Sequence, residues 1–462
     1  MASIAAAAAP VPSAPPLAAR TRRLLEAPVA STLLWLAAPN VLVMVLQAVV
    51  TTMDAVFVGW LGPDALAGVS LVYPLVMLMQ TMSGGGMGGG VASAVARALG
   101  AGRQRQAESL AAHAILIALG MASLFTVLLL LGGPALFQLM GGQGAALEAA
   151  RVYSHVIFGG AVVIWLLNTL SSIVRGTGTM IVPAAVTTAS AFLYLGLAPA
   201  LVMGWGPFPR LGVAGTATAN LVGFGLASLV LVGYLASPWS AVRLTFRGLH
   251  IRAEHFWEIL RVGAPGSINT ILTNLTVVLM TGLVGPFGTL ALAGYGMGAR
   301  LEYLQIPLVF GMGSALVAMV GTNVGAGQIA RAERVAWTGA GIAAGITATI
   351  GLVAAAFPRI WLGLFTSDPQ AQAVGITYLW TVGPCYGFFG LGLALYFASQ
   401  GAGRLGWPLA AGFLRLLVAT AGGWMAGYWL GWGLLGIFAS MAAALLVFGL
   451  TIATAVRAGA WR

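Results

Sequence analysis

The chain has 462 residues, 60% of them hydrophobic and 7% charged, with a formal net charge of +11. A soluble domain carries roughly a quarter charged residues, so these proportions exclude an ordinary water-soluble globule. The 21 basic residues are all arginine and lie between apolar runs rather than in one patch, so the charge does not point to nucleic acid.

In chain order, an Ala/Pro-rich start followed by Arg20, Arg22 and Arg23 reads as a disordered cytoplasmic tail over residues 1–31, with no basic opening of a secretory signal. Twelve apolar runs follow, at 32–59, 65–95, 110–131, 152–173, 180–202, 213–235, 257–284, 291–322, 336–357, 374–398, 407–430 and 433–456. Each is long enough to cross ~30 Å of hydrocarbon. The runs are continuous rather than alternating, which predicts helices and not a β-barrel. The fold class is therefore an all-α polytopic membrane protein, with the long second and eighth spans expected to tilt or bend.

The arginines fall unevenly between the runs. Arg97, Arg103, Arg105, Arg175, Arg243, Arg247, Arg252, Arg331, Arg334, Arg404, Arg457 and Arg462 share the side of the N-terminus, whereas Arg151, Arg210 and Arg359 lie opposite. The positive-inside rule then places both termini in the cytoplasm.

A repeat divides the chain. Ala38-Pro39 recurs as Ala264-Pro265, Gly62 as Gly288 and Leu66-Ala67-Gly68 as Leu292-Ala293-Gly294, each 226 residues later. After one residue of slippage, Gly100-Ala101-Gly102 matches Gly325-Ala326-Gly327, and Gly176, Gly178 and Pro183 match Gly401, Gly403 and Pro408. Two six-helix lobes are expected, at 32–236 and 255–457, joined by a cytoplasmic linker at 237–254. An even span count per repeat implies a pseudo-twofold axis along the membrane normal, with a cavity between the lobes.

On the first span Asn40, Gln47, Thr51 and Asp54 fall within about 60° of one another at ~100° per residue, a polar stripe on an apolar helix. Such a stripe should face a cavity or the bundle interior, and an intramembrane acid is a functional candidate, although Asp54 also stands near the helix end, where a solvated acid is unremarkable. Thr216, Thr218 and Asn220 on the sixth span are possible neighbours, with Thr218 and Asn220 assigned to the cation site alongside Asp54 and Gln47. Arg300, Glu302 and Arg415 lie ~13–15 Å into their spans, so an ion pair or substrate contact is expected of them. Tyr386 belongs to an aromatic tenth span suited to flat cations, and ordinary packing explains such a span equally well. Cys385 reads as a small apolar filler. The Gly84–Gly86 and Gly88–Gly90 runs lack the Lys-Ser/Thr of a phosphate loop and suggest close packing or a hinge. The four histidines have no metal spacing, and no catalytic constellation appears, so neither an enzyme nor a cofactor is expected.

The stretch from Ala38-Pro39-Asn40 through Asp54-Ala55-Val56-Phe57-Val58-Gly59, Leu61-Gly62, Ala65-Leu66-Ala67-Gly68 and Pro74 resembles the first two helices of the multidrug and toxic compound extrusion family. Arg300-Leu301-Glu302, Val324-Gly325-Ala326-Gly327 and Arg415 are similar too. The resemblance implies a V-shaped pair of lobes exporting drugs or toxic organic cations in exchange for protons or sodium. It assigns cation coupling to Asp54, with Gln47 nearby and Pro39 as the bend. Sodium-coupled members use acids in the seventh and tenth helices; here Thr273 holds the seventh-helix position and the tenth span has none, which favours H+ over Na+. Where the DNA-damage-inducible branch carries Asn-x-x-x-Asp in the fifth helix, this chain has Tyr194 and Ala198. The resulting expectation is a monomeric inner-membrane antiporter of small organic molecules, with lipid around it, no nucleic acid, and Asn40, Thr51, Thr273, Arg300, Glu302, Tyr386 and Arg415 as substrate-cavity candidates. Two other readings stay open: a flippase for lipid-linked saccharides, and a non-transporting receptor or scaffold.

Overall fold

The computed structural model describes residues 19–244 and 250–461, the side chains of Ala19 and Tyr303 excepted, and among the described residues there are helices and no strands. Eleven helices are long and apolar enough to cross a membrane: α1 Val29–Gly59, α2 Pro63–Gly100, α3 Gln104–Leu139, α5 Ile181–Met203, α6 Val213–Ala236, α7 Ala253–Phe287, α8 Thr289–Gly325, α9 Ile329–Ala356, α10 Pro369–Ala402, α11 Gly406–Trp429 and α12 Gly433–Arg457. The twelfth, α4, is a pair, Gly144–Gly159 and Ala161–Gly176, bent by 47°. The expected run at 152–173 straddles this bend, which falls at the Gly159-Gly160 pair, where two residues without side chains loosen the helix.

The long α2 is interrupted by a π-helical stretch, Met82–Met87, immediately before its second glycine run. A π-turn widens the helix by one residue and re-aims the turns beyond it. Repeat-related positions share backbone conformation: Gly62 and Gly288 precede α2 and α8 at φ 108° and 101°. A side chain there would be strained, which is why glycine stands at both.

The tail expectation needs correction from Ala19 onward. Residues Ala19–Glu26 form a helix with Leu24 and Leu25 buried. Arg20 donates 3.1 Å hydrogen bonds to Thr179 and to the Tyr234 hydroxyl, while Asn323 donates to the Leu24 carbonyl at 3.2 Å and Arg331 to that of Ala27. The basic segment thus touches both halves of the chain. Residues 1–18 of the expected tail lie outside the described residues, as do Arg247 and Arg462. In the linker, Gln104 of α3 donates to the Ala241 carbonyl and Val242 is fully buried.

The halves meet closely at the arginine-rich end, where α2 of the first half lies against α7, α8 and α10 of the second. A Cβ at Gly86 would stand 2.6 Å from the Ser267 nitrogen, and one at Gly90 would stand 2.7 Å from the Gly263 nitrogen. Gly100 rests on the Thr322 carbonyl and Gly325 on that of Arg97. Small residues let helix backbones approach to this extent. Polar groups cross the seam as well. Ser93 donates to the Gln400 carbonyl at 2.5 Å, Gln400 Nε2 donates to the Gly85 and Gly86 carbonyls at 3.0 and 3.3 Å, and Arg97 donates to Ser93 while standing 3.8 Å from Glu258.

Gly90→Val should therefore lower the melting temperature of the detergent-purified protein or force the seam apart. Gly120→Ala, in open space on α3, should leave it equal or slightly higher, since alanine is worth ~0.5–1 kcal/mol over glycine in a helix. A thermal melt of both variants checks the ordering.

Candidate cation site and substrate clefts

Asp54 stands half-buried on α1 and accepts a hydrogen bond from the Tyr194 hydroxyl of α5. Thr216 of α6 lies within hydrogen-bonding reach of the same carboxylate, and Tyr73 and Tyr153 are near enough to feel its charge. An apolar cluster of Phe57, Tyr194, Ala198, Leu201 and Ala219 ties the three helices together around it. The fifth-helix position occupied by tyrosine instead of an amide thus supplies the acid's partner.

The expected stripe is distributed along α1. Asn40 is buried with its Nδ2 unpartnered, Gln47 is half-buried, and Thr51 is exposed within reach of Tyr73. Pro39 lies inside α1 without ending it. Thr218 does not join the site as expected: it is not among the groups near the Asp54 carboxylate, and its hydroxyl donates to the Ala214 carbonyl at 2.8 Å. Asn220 is half-buried with Oδ1 unpartnered and makes no hydrogen bond to Asp54. At ~100° per residue Thr216 and Thr218 point about 160° apart, so only one can face α1. The helix presents Thr216.

In the second half, Arg415 of α11 donates to Glu302 of α8 at 3.1 Å, and both side chains are largely buried. The Arg415 guanidinium also lies 5.3 Å and 5.5 Å from the ring centroids of Phe389 and Phe448. This pair borders a narrow cleft of about 40 Å³ together with Thr273, Thr276, Met280 and Tyr295. Met280 occupies the repeat position of Asp54, so the second half has a thioether where the first has an acid. Arg300 is exposed, stands over the Phe365 ring at 5.2 Å and does not line that cleft. Tyr386 is fully buried beside Tyr378 rather than in the cleft. No group of three or more His, Cys, Asp or Glu side chains able to hold a metal occurs among the described residues.

Two six-helix halves, a clamp at one end and polar side chains directed into intramembrane clefts define a membrane transporter of the two-lobed kind. The MatE family model matches residues 39–200 and 265–425, one copy in each half, and the chain belongs to that family. It is 28% identical to a protein of Shewanella oneidensis described as an FAD transporter, across 81% of this chain and 82% of that one. It is 26% identical to a probable multidrug resistance protein NorM of Thermotoga maritima, across 84% and 83%. A crystal structure of a MATE protein in its bent conformation superposes with a TM-score of 0.89 at 24% identity, covering 96% of this chain and 98% of that one, which shows the shared fold.

Removing one member of a buried ion pair leaves an uncompensated charge and costs about 3–5 kcal/mol, whereas replacing both is close to neutral. Glu302→Leu alone should therefore destabilise the protein strongly, and Glu302→Leu with Arg415→Met should recover most of the loss. A double-mutant cycle on detergent-unfolding midpoints measures this.

Proposed function

We propose that the chain is a proton-coupled antiporter of small organic molecules, working by alternating access in the cytoplasmic membrane with both termini in the cytoplasm. The observation that carries this reading is Asp54, an acid on an apolar helix held by Tyr194 from a neighbouring helix, with Thr216 of another within reach. As a carboxylate it accepts the Tyr194 proton donor. Once protonated it loses the charge that makes that bond strong, and the packing of α1 against α5 and α6 changes with it. A site that differs between protonation states and between transporter states couples the two. The names of the relatives, multidrug resistance and FAD transport, support organic solutes as cargo. The arginine-rich side supports the membrane orientation.

Ethidium efflux from proteoliposomes under an imposed pH gradient should fall at least about tenfold in Asp54→Asn, the order expected for losing one charged hydrogen-bonding group. A sodium gradient alone should not drive it in the wild type. Undiminished gradient-driven efflux from the mutant would remove Asp54 from the mechanism. Tyr194→Phe deletes a donor that favours the carboxylate, so the pH profile of efflux should move upward, as stopped-flow traces across a pH series would show.

A further inference from the structure

At the closed end of the molecule, a small pocket of about 20 Å³ lies between the halves, bordered by Gly88 and Gly89 of α2, Ser172 and Arg175 of α4, Phe310 of α8 and Gln400 of α10. Arg175 donates to Ser172 Oγ at 3.1 Å, and among the described residues no carboxylate pairs with it. Of its five N–H donors, four remain for something else. Across the pocket, the fully buried Gln400 spends its amide nitrogen on the Gly85 and Gly86 carbonyls and leaves Oε1 with no donor. An arginine in the last turn of a helix is favourable to the helix dipole. That preference alone needs neither a pocket nor a facing, unsatisfied amide oxygen.

We propose that this pocket binds the anionic end of an organic substrate, a carboxylate or phosphate with a neighbouring N–H or O–H. The anion takes the open donors of Arg175 as charge-assisted hydrogen bonds, and the adjacent donor satisfies Gln400 Oε1. Phe310 and Phe397, edge to face at 5.3 Å and both lining the pocket, offer a flat ring its apolar contact. The enclosed space is more than tenfold below that of a typical whole-ligand site of ~300–1,000 Å³, so the pocket admits only the acidic end while the remainder extends between the halves. Gly176 matches Gly401 in the repeat, so Arg175 and Gln400 are equivalent positions, and both line this pocket. One is a donor and the other a free acceptor. The inference deepens the transporter reading and rests on it for movement of the ligand, though not for binding.

The test uses two dyes on the same xanthene frame, carboxyfluorescein as anion and rhodamine 123 as cation, titrated at equilibrium against the purified full chain by fluorescence polarisation. The ratio of anion to cation affinity should fall about tenfold or more in Arg175→Gln. It should recover in part in Arg175→Lys and fall in Gln400→Glu, whose carboxylate would neutralise Arg175 from within. Arg404→Gln, an exposed arginine on the same side, should leave the ratio unchanged. A wild type that fails to bind carboxyfluorescein overturns the proposal, as does a ratio unchanged in Arg175→Gln or equally lowered by Arg404→Gln. Size-exclusion profiles identify any variant that fails to fold, and Arg175→Lys and Gln400→Glu keep the question decidable if Arg175→Gln does. Equilibrium binding without efflux from proteoliposomes would sink the transporter reading and leave the site.

Discussion

The close approach of α2 to α7 and α8 is the constraint on which the rest of the molecule depends. Backbone meets backbone where Gly86, Gly90, Gly100 and Gly325 carry no side chain. In an apolar medium this contact gains dispersion and loses little, because lipid competes weakly for a flat helix face. The seam fixes which end of the cleft between the halves is closed. It also brings Ser93, Arg97 and Gln400 into one polar crossing that bonds readily within the protein and has no partner in lipid.

The helices and the duplication were legible in the residues because hydropathy and glycine spacing are local properties. The two matches of the MatE model begin 226 residues apart, the interval that Pro39 and Pro265 display. Asp54 was legible for the same reason, as the one acid on the first apolar run. Its partners were not. Tyr194 sat in the sequence as the absence of an amide, and only the azimuth of α5 against α1 turns its hydroxyl into a donor to Asp54. The choice between Thr216 and Thr218 likewise depends on helix rotation, which tertiary packing sets. The bend in α4 had a signal in Gly159-Gly160, whereas the π-turn at Met82–Met87 had only the glycine run beside it.

The halves share a fold and divide the chemistry. The first has Asp54 with Tyr194 and Thr216; the second has Met280 at the equivalent position and keeps its acid, Glu302, paired with Arg415. In the proposed coupling, a titratable group in one half, with its counterpart replaced by a thioether, gives protonation something to bias without a matching response in the other half. The Ala19–Glu26 helix, joined to Thr179 and Tyr234 in one half and to Asn323 in the other, belongs to the same closed end and must yield with it.

On this view the protonation state of Asp54 biases the seam. Spin labels on cysteines replacing Arg105 and Arg334, exposed on opposite halves at the arginine-rich end, report its opening, and a second pair replacing Leu139 and Leu364 reports the other end, each in a Cys385→Ala background. Electron-electron distance measurements across a pH series should show one pair lengthening as the other shortens, with Asp54→Asn removing the pH dependence. A response to pH that survives Asp54→Asn intact, or no distance change in vesicles that transport, would contradict that coupling.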